Sequence, residues 1–376
     1  MASFLDSIKK AFSSGHKGSV LGIDIGSSSI KVVLVEKVQE KVVLKNYGEI
    51  ALGPRAGVAA GQATNLPPEK IAEALRDLLK EAGISAQHTL IAIPFSASLL
   101  AMVELPDVGK KELDSMIPIE ARRYIPVPIS EVSLDWWILP KRKVGEKPTL
   151  TVSPDAPKPV GKIEAIIAAI HNEVISKYES IKRDAQIPGE ASHFEIEIFS
   201  TLRAVVGREL SPLLVVDIGA GSTKLALVDE GVVRGSHVIS MGSQDITLAF
   251  ARSHNFAFDK AEEIKCRVGV LGDAEGRDVL TVAELLLSNI MSETARFVEN
   301  YETKYNTTIT KVILVGGGAR LKGIEKIVSK NFPKASIVLG DPLARLDSPA
   351  FLATTLKELS PDFAVATGLA LKGLEE

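Results

Sequence analysis

The 376-residue chain carries a single cysteine, Cys266, so neither a disulfide framework nor a cysteine-rich zinc site is possible. Its six histidines lie far apart in the sequence and show no metal-ligand spacing. No apolar run approaches the ~18–20 residues of a membrane span, and the first residues lack the apolar core of a signal peptide. The net charge of −3 provides no basic field that would recruit nucleic acid. We therefore expect a cytoplasmic protein that does not bind nucleic acid.

The composition is that of a soluble globular protein, because 45% of the residues are hydrophobic and 24% are charged. The first 17 residues form a separate amphipathic segment, in which Phe4, Leu5, Ile8 and Phe12 fall at helical spacing. This pattern favours a terminal helix that docks on a protein surface. A membrane-surface helix is the alternative, but two neighbouring lysines give it little electrostatic support.

Strand, helix and turn signals divide the rest of the chain into two similar halves and an insert. The first half starts with two strands within residues 19–36 and continues with a helix over 67–82. From about residue 96, strand–helix–strand patterns flanking a proline-rich loop at 144–161 predict a small α+β subdomain. The second half begins again with strand, turn and strand over 213–228. The predicted boundaries are 1–17 for the amphipathic segment, 18–95 completed by about 345–376 for a first subdomain, 96–190 for the insert, 191–258 with 307–344 for a further subdomain, and 259–306 for the last.

Three later elements bear on function. Asp259 and Glu262 are spaced as an N-terminal capping pair for a helix over 259–268. A buried-type strand at 311–315 runs directly into three glycines. A closing helix is predicted over 363–374.

One decapeptide occurs twice, as GIDIGSSSIK at 22–31 and as VVDIGAGSTK at 215–224. A turn made of Gly and Ser between two strands brings bare backbone N–H groups to one point, where they can close on phosphate oxygens. The aspartate before each turn can hold a magnesium ion, directly or through its waters. A single Asp-Ile-Gly turn also fits an ordinary hairpin, but two copies predict a duplicated fold whose loops face each other across one cleft and grip one polyphosphate.

The sequence VILVGGGARL at 312–321 predicts where the rest of such a ligand binds. A strand followed by three glycines and a helix lets the backbone approach a flat ligand closely, with a helix N-terminus behind it. Its position after the second repeated loop makes it the candidate adenosine-binding motif.

At this point the chain resembles the actin/Hsp70-like ATPase superfamily, whose pattern is phosphate loop, phosphate loop, adenosine loop. The stretches EARRYIPVPISEVSLD (120–135) and SPDFAVATGLALKG (360–373) are similar to signatures of the PilM family of type IV pilus assembly proteins. The resemblance covers roughly residues 18–374. It implies an α/β fold with a duplicated actin-like core, two RNase H-like halves around a nucleotide cleft, and an inserted α+β subdomain of the kind that the cell-division protein FtsA carries.

The PilM resemblance implies a cytoplasmic protein that binds ATP and Mg²⁺ and lies at the inner face of the bacterial inner membrane. It would act as a nucleotide-dependent scaffold or switch, recruited by the short cytoplasmic tail of the membrane protein PilN. That tail would lie in a groove between the first subdomain and the insert, so that membrane contact is indirect. Pilus motor ATPases are a further class of partner. The residues carried over as cofactor-binding are Gly26, Ser27, Ser28, Ser29, Lys31, Gly219, Ala220, Gly221, Ser222, Thr223, Lys224, Gly316, Gly317, Gly318, Ala319 and Arg320, with Asp24 and Asp217 as metal ligands.

The same resemblance suggests roles for three further residues. Glu262 and Lys265 correspond to a Glu and a Lys that often flank the ribose and adenine, although a solvated helix face explains them equally simply. Glu197 is at about the right place to position an attacking water. Its alternative is an exposed residue at the end of a strand.

Candidate partner-binding residues lie in the insert. Arg123 and Tyr124 close its first helix, and Pro126 forces an extended exit from it. Strand alternation places Trp136 on a core face with Val132, Leu134 and Ile138. Trp137 falls on the opposite, partly polar face, where it either holds a bound peptide or packs at a subdomain seam.

Three other functions fit parts of the pattern. A small-molecule kinase of the same superfamily would need a catalytic aspartate in a substrate pocket, and the insert shows no clear candidate. An FtsA-like filament protein would carry a C-terminal membrane helix, for which LKGLEE is too short. The cytoplasmic domain of a type II secretion component would continue into a membrane span.

Overall fold

The computed structural model describes residues 18–141, 161–188, 190–271 and 276–375. The predicted amphipathic segment at 1–17 and nearly all of the predicted loop at 144–161 lie outside these residues. The chain forms two compact units, of which Ser96–Ser176 is the smaller. No helix among the described residues is long and apolar enough to cross a membrane.

The elements agree with the expected order of strands and helices. The strands are β1 (Ser19–Ile25), β2 (Ser29–Val38), β3 (Lys41–Ala51), β4 (His88–Ile93), β5 (Ser98–Pro106), β6 (Val132–Ile138), β7 (Lys162–His171), β8 (Glu190–Ile196), β9 (Leu213–Ile218), β10 (Thr223–Asp229), β11 (Val232–Ile239), β12 (Lys311–Val315) and β13 (Ser336–Leu339). The α-helices are α1 (Pro68–Glu81), α2 (Lys110–Ala121), α3 (Asn172–Asp184), α4 (Glu197–Val205), α5 (Ser243–His254), α6 (Phe258–Val268), α7 (Gly276–Tyr305), α8 (Ile324–Asn331), α9 (Ala353–Leu359) and α10 (Ala364–Glu375).

The larger unit contains two five-stranded sheets with the same topology. Their strand orders are β3-β2-β1-β4-β8 and β11-β10-β9-β12-β13. In each sheet the first three strands form an antiparallel meander, and the last two join it in parallel. The duplication predicted from one repeated decapeptide therefore extends to the whole order of pairing.

The apolar runs of the sequence occupy the centres of these sheets. Strands β9 and β12 are buried almost along their whole lengths, as is typical of strands covered on both faces. Helix α10 packs against the first sheet and is apolar nearly all round. Glycines allow its close approach, since a Cβ at Gly22 would clash with the carbonyl of Ala366, and one at Gly368 with the carbonyl of Ser200.

The smaller unit is built on the antiparallel sheet β5-β7-β6. Helix α2 packs on it through Leu113 and Ile117, which are 1% exposed. The sequence placed Trp136 and Ile138 together on the core face of β6. Trp136 packs against this core, but Ile138 is 48% exposed, so the prediction for Ile138 is wrong. Leu139, the next residue, is 3% exposed instead, so the alternation of buried and exposed side chains shifts by one residue at the end of the strand.

A buried ion pair connects three elements of the larger unit. Glu195 at the end of β8 accepts hydrogen bonds from the Arg203 guanidinium of α4 at 2.7 and 2.9 Å and from the Ser200 hydroxyl. Lys372 of α10 lies 3.2 Å away. Burial opposes ionisation of this carboxyl, but the Arg203 and Lys372 cations outweigh it and lower the pKa of Glu195 to about 2.

We predict that Glu195→Gln removes a pH-dependent part of the stability. Because the pKa in the folded chain lies below that of the unfolded chain, the contribution is complete above about pH 4.5 and is lost as the pH falls towards 2. At pH 7 the free energy of unfolding should drop by on the order of 3 kcal/mol. Urea unfolding at pH 7, 5 and 3.5 measures the difference, which should narrow at the lowest pH. Glu263→Gln, which removes an exposed ion pair with Lys260, is the control and should change stability little. If the free energies of unfolding of wild type and Glu195→Gln differ by the same amount at all three pH values, the lowered pKa of Glu195 does not stabilise the fold as described.

Candidate functional site

The two repeated loops have the same local geometry. Lys31 lies directly opposite Asp24 in the β1–β2 pair, as Lys224 lies opposite Asp217 in the β9–β10 pair. Each turn is closed by the same backbone hydrogen bond, from Gly26 N to Ser29 O at 3.0 Å and from Gly219 N to Ser222 O at 2.9 Å. A Cβ on either glycine would lie 3.0 Å from the acceptor oxygen, which explains why both turns begin with glycine.

Both loops and the glycine motif line one cavity of about 990 Å³. The predicted site residues that it brings together are Asp24, Gly26, Ser27, Ser28, Ser29, Lys31, Glu197, Asp217, Gly219, Ala220, Gly221, Ser222, Lys224, Glu262, Lys265, Gly316, Gly317, Gly318 and Arg320. Two of the predicted cofactor-binding residues, Thr223 and Ala319, do not line it. The Thr223 hydroxyl donates to the carbonyl of Met241 at 2.9 Å, so it is not available to a phosphate. The Ala319 side chain is buried in the core of the second half.

Lys224 is the central cation of the cavity floor. Its Nζ lies 2.9 Å from Glu197 Oε2 and 3.5 Å from Asp217 Oδ2, and its side chain is only 17% exposed. Burial disfavours its charge, but the Asp217 and Glu197 carboxylates outweigh burial and raise the pKa of Lys224. The ammonium therefore stays charged and can contact a phosphate beside it.

Glu197 is the first residue of α4 and is 5% exposed, so it is not an exposed strand end. One carboxylate oxygen pairs with Lys224, and the other accepts a hydrogen bond from Phe95 N at 2.6 Å. This arrangement makes Glu197 a positioning residue for Lys224. Each of these oxygens has a further lone pair, so the role of Glu197 in orienting an attacking water stays a prediction.

Asp24 and Asp217, the predicted magnesium ligands, both line the cavity. Burial, followed by the nearby Glu197 carboxylate, raises the pKa of Asp24 to about 7. A cation bound here would relieve the repulsion among these carboxylates. Magnesium is held in proteins by one or two carboxylates together with substrate phosphates and water. No group of three or more His, Cys, Asp or Glu residues that could hold a metal ion occurs among the described residues.

The structure adds two acidic residues that sequence reasoning missed. Glu49 on β3 lies 3.3 Å from Lys31, whose Nζ also donates to Ser29 Oγ at 2.8 Å. Asp362 binds the Arg320 guanidinium at 2.9 Å, and its side chain is 6% exposed. Asp362 belongs to the SPDFAVATGLALKG stretch, whose similarity to the PilM family could have identified it as a site residue. Nothing in the sequence singled out Glu49.

Glu262 and Lys265 form a connected network on α6 rather than a solvated helix face. Lys265, 5% exposed, pairs with Glu262 at 2.8 Å and donates to Thr247 Oγ1 at 2.8 Å and to Ser243 O at 3.2 Å. The predicted capping pair is wrong: the helix starts at Phe258, and its N-cap residue is Ala257 with no side-chain hydrogen bond. With Ala257 at the N-cap, Asp259 is the second residue of the helix and Glu262 the fifth, beyond the first turn, where its carboxylate contacts Lys265 and Thr247.

The glycine motif follows β12 as predicted, but it forms a 3-10 turn over Gly317–Arg320 before α8. Gly316 has φ +81°, a conformation that side chains rarely adopt. A Cβ there would clash with Asp217 Oδ1 and lie 2.6 Å from the carbonyl of Ile218. The motif is therefore packed directly on the second repeated loop.

The predicted partner-binding residues lie in the smaller unit. Arg123, Tyr124 and Pro126 are exposed in the segment that leaves α2, and Ile125 between them is buried in the core. Arg123 pairs with Glu120 at 2.8 Å. Trp137 lies in β6 and is half-buried. The structure thus presents three of the four on one exposed segment.

Gly316→Ala and Gly317→Ala form a matched pair that tests this packing. We predict that Gly316→Ala lowers the free energy of unfolding by about 1–3 kcal/mol because of its positive φ and its clash with Asp217. In Gly317→Ala the nearest atom is Asp362 Oδ1 at 3.8 Å, an ordinary contact, so this variant should stay within about 0.5 kcal/mol of wild type. Urea unfolding without ligand measures both. Equal losses would show that the motif does not pack as described.

A family model described as type IV pilus assembly protein PilM matches residues 22–374. Among curated proteins, cell division protein FtsA of Staphylococcus epidermidis is 22% identical over 344 residues, covering 82% of this chain and 71% of FtsA. FtsA of Neisseria meningitidis is 24% identical over 272 residues, covering 68% of this chain and 62% of that protein.

Solved structures show the same architecture. The PilM-PilN type IV pilus biogenesis complex superposes with a TM-score of 0.76 at 25% identity, covering 96% of this chain and 100% of that chain. MreB 5 of Spiroplasma citri bound to AMPPNP gives a TM-score of 0.52 at 14% identity over 95% of this chain and 96% of that one. These neighbours confirm the predicted α/β fold, a duplicated actin-like core with an inserted subdomain.

Proposed function

The chain belongs to the family of type IV pilus assembly protein PilM, and we propose that it is an ATP-binding scaffold or switch of the pilus machinery. In this proposal it is cytoplasmic and is held at the inner membrane by the cytoplasmic tail of PilN. The proposal that the chain binds a nucleotide rests on one observation. Both copies of the repeated loop supply an Asp and a Lys to a single cavity that the glycine motif also lines.

Each part of that cavity suits one part of a magnesium nucleotide. Backbone N–H groups of the two Gly/Ser turns and the Lys31 and Lys224 ammonium groups would hold the phosphates. Asp24 and Asp217 would hold a Mg²⁺ ion, which when bound offsets the charge of the phosphates. The close backbone at Gly316 and Gly318 leaves room for a flat base or sugar. The Glu262–Lys265 pair would flank the nucleoside.

The proposed partner site uses the exposed segment after α2. Tyr124 is 39% exposed and Arg123 carries a largely solvent-accessible guanidinium, and these two residue types often dominate peptide binding. A solved structure that is similar to this chain is a complex of PilM with PilN. We propose that Arg123, Tyr124, Pro126 and Trp137 contact the PilN tail here.

A role in cell division like that of FtsA is the second candidate, because FtsA proteins match most of the chain. The two functions share the nucleotide cleft and differ in the partner. Binding of a PilN peptide therefore separates them, whereas ATP binding alone does not.

We predict that a synthetic peptide with the sequence of a PilN N-terminus binds the full chain saturably in calorimetry, with and without Mg-ATP. Trp137→Ala and Tyr124→Ala should each weaken peptide binding by roughly tenfold or more, since aromatic anchors carry most of such binding energy. ATP affinity should not change in either variant. Phe351→Ala removes an 83% exposed aromatic side chain of the larger unit and is the control.

Three results would contradict the proposal. Absence of peptide binding by a chain that binds ATP would favour the FtsA-like role. Equal loss of peptide and ATP binding in Trp137→Ala would indicate a structural role for Trp137. Absence of ATP binding by the wild-type chain would contradict the nucleotide part.

A further inference from the structure

A loop of the first half forms one rim of the cavity. Residues 57–67, here called the strap, connect the 3-10 turn Gly53–Ala56 to α1. Gly61 of the strap lines the cavity and is itself exposed to solvent. The strap therefore separates the cavity from solvent at this point.

The strap is fixed at one side to the first repeated loop. The carbonyl of Ser27 accepts a hydrogen bond from Thr64 N at 2.8 Å and lies 3.2 Å from Thr64 Oγ1. Leu66, 8% exposed, anchors the following residues in the core. Any movement of the strap is thereby coupled to the turn that would hold phosphates.

The side chain of Gln244 connects the strap to the second half of the fold by a hydrogen bond. Gln244, the second residue of α5, accepts a hydrogen bond from Ala63 N on its Oε1 at 2.9 Å. The backbone N–H of Gln244 donates to the carbonyl of Ala220 in the second repeated loop at 3.0 Å. The same residue thus contacts the strap of one half and the phosphate loop of the other.

Close packing accompanies this hydrogen bond. A Cβ at Gly221 would lie 3.4 Å from the Ala63 methyl and 3.6 Å from Ser27 Oγ, so the two repeated loops and the strap meet at one place. A Cβ at Gly61 would lie 3.7 Å from Glu262 Cγ, close to the network of Lys265. The strap contacts the second half at both of these points.

We propose that Gln244 is a positioning residue that latches the strap across the rim of the cleft and so retains a bound nucleotide. The inference rests on the proposed nucleotide function of the cleft. It assigns to Gln244 no contact with the ligand, because the side chain acts through Ala63. Opening the strap breaks the Gln244–Ala63 hydrogen bond, which adds to the barrier for release of a ligand that both loops hold.

The test compares ATP release from the full wild-type chain and from Gln244→Met, which keeps the length of the side chain but lacks the acceptor. ATP labelled on its α-phosphate is loaded with Mg²⁺, chased with unlabelled ATP and followed by filter retention. Loss of one hydrogen bond in the closed state should accelerate release roughly three- to tenfold. Association should be as fast as in wild type or faster, because the strap opens more easily.

Gln62→Met is the matched control, since Gln62 lies on the same strap and its side chain has no hydrogen-bond partner within the described part of the chain. Gln62→Met should release ATP at a rate within about twofold of the wild-type rate. Thermal unfolding without nucleotide checks that both variants fold, and the unfolding midpoint of Gln244→Met should fall only slightly, by the contribution of one hydrogen bond. If Gln244→Met is destabilised, Gln244→Asn, which keeps the amide but is too short to reach Ala63, replaces it and should also release ATP faster.

The outcomes distinguish the inference from the function on which it rests. A wild-type chain that does not retain ATP overturns the proposed function. A chain that retains ATP, with release from Gln244→Met or Gln244→Asn at the wild-type rate, overturns the latch. Equal acceleration in Gln62→Met would assign the effect to the strap as a whole and also overturns the role of Gln244.

Discussion

The structure depends most on one largely buried ammonium group, that of Lys224. Its two direct partners, Glu197 and Asp217, are both nearly inaccessible, and Asp24 of the other half adds a third carboxylate nearby. Buried carboxylates are costly unless a cation or hydrogen-bond donors compensate them. Burial, followed by the Glu197 carboxylate, raises the pKa of Asp24 to about 7, and the Lys31 and Lys224 cations offset this only in part. A region with an excess of negative charge beside Gly/Ser turns is well matched to a ligand that brings its own metal cation.

The duplicated fold is what brings these charges together. Each half ends its first strand with an aspartate, closes the same glycine turn and places a lysine opposite that aspartate. The close packing of α10 on β1 and of Gly316 on the second loop leaves little freedom for the walls of the cavity. The cleft is therefore a consequence of two sheets of the same topology whose equivalent loops line one cavity, and in our proposal the strap with Gln244 closes part of its rim.

The sequence predicted the parts of this arrangement that depend on local patterns. The repeated decapeptide predicted a duplicated fold, and VILVGGGARL predicted a strand followed by three glycines and a helix, between which the structure adds a 3-10 turn. The helix cap at Asp259 was wrong because the helix starts one residue earlier, at Phe258, which places Asp259 inside its first turn. Thr223 was assigned to the ligand, but its alternation on β10 turns the hydroxyl towards Met241. Glu49, Thr247 and Gln244 act through contacts between segments distant in sequence, which periodicity and spacing do not encode.

The most direct test of the account is a double-variant cycle of Mg-ATP binding measured by calorimetry on wild type, Lys31→Gln, Lys224→Gln and the double variant. If both repeated loops hold one polyphosphate, the wild type binds one nucleotide per chain, and each single variant weakens binding by roughly tenfold or more. We further expect that the losses of binding free energy in the two single variants do not add up to the loss in the double variant, because both lysines contact the same ligand. Two nucleotides per chain, or full affinity in either single variant, would contradict it.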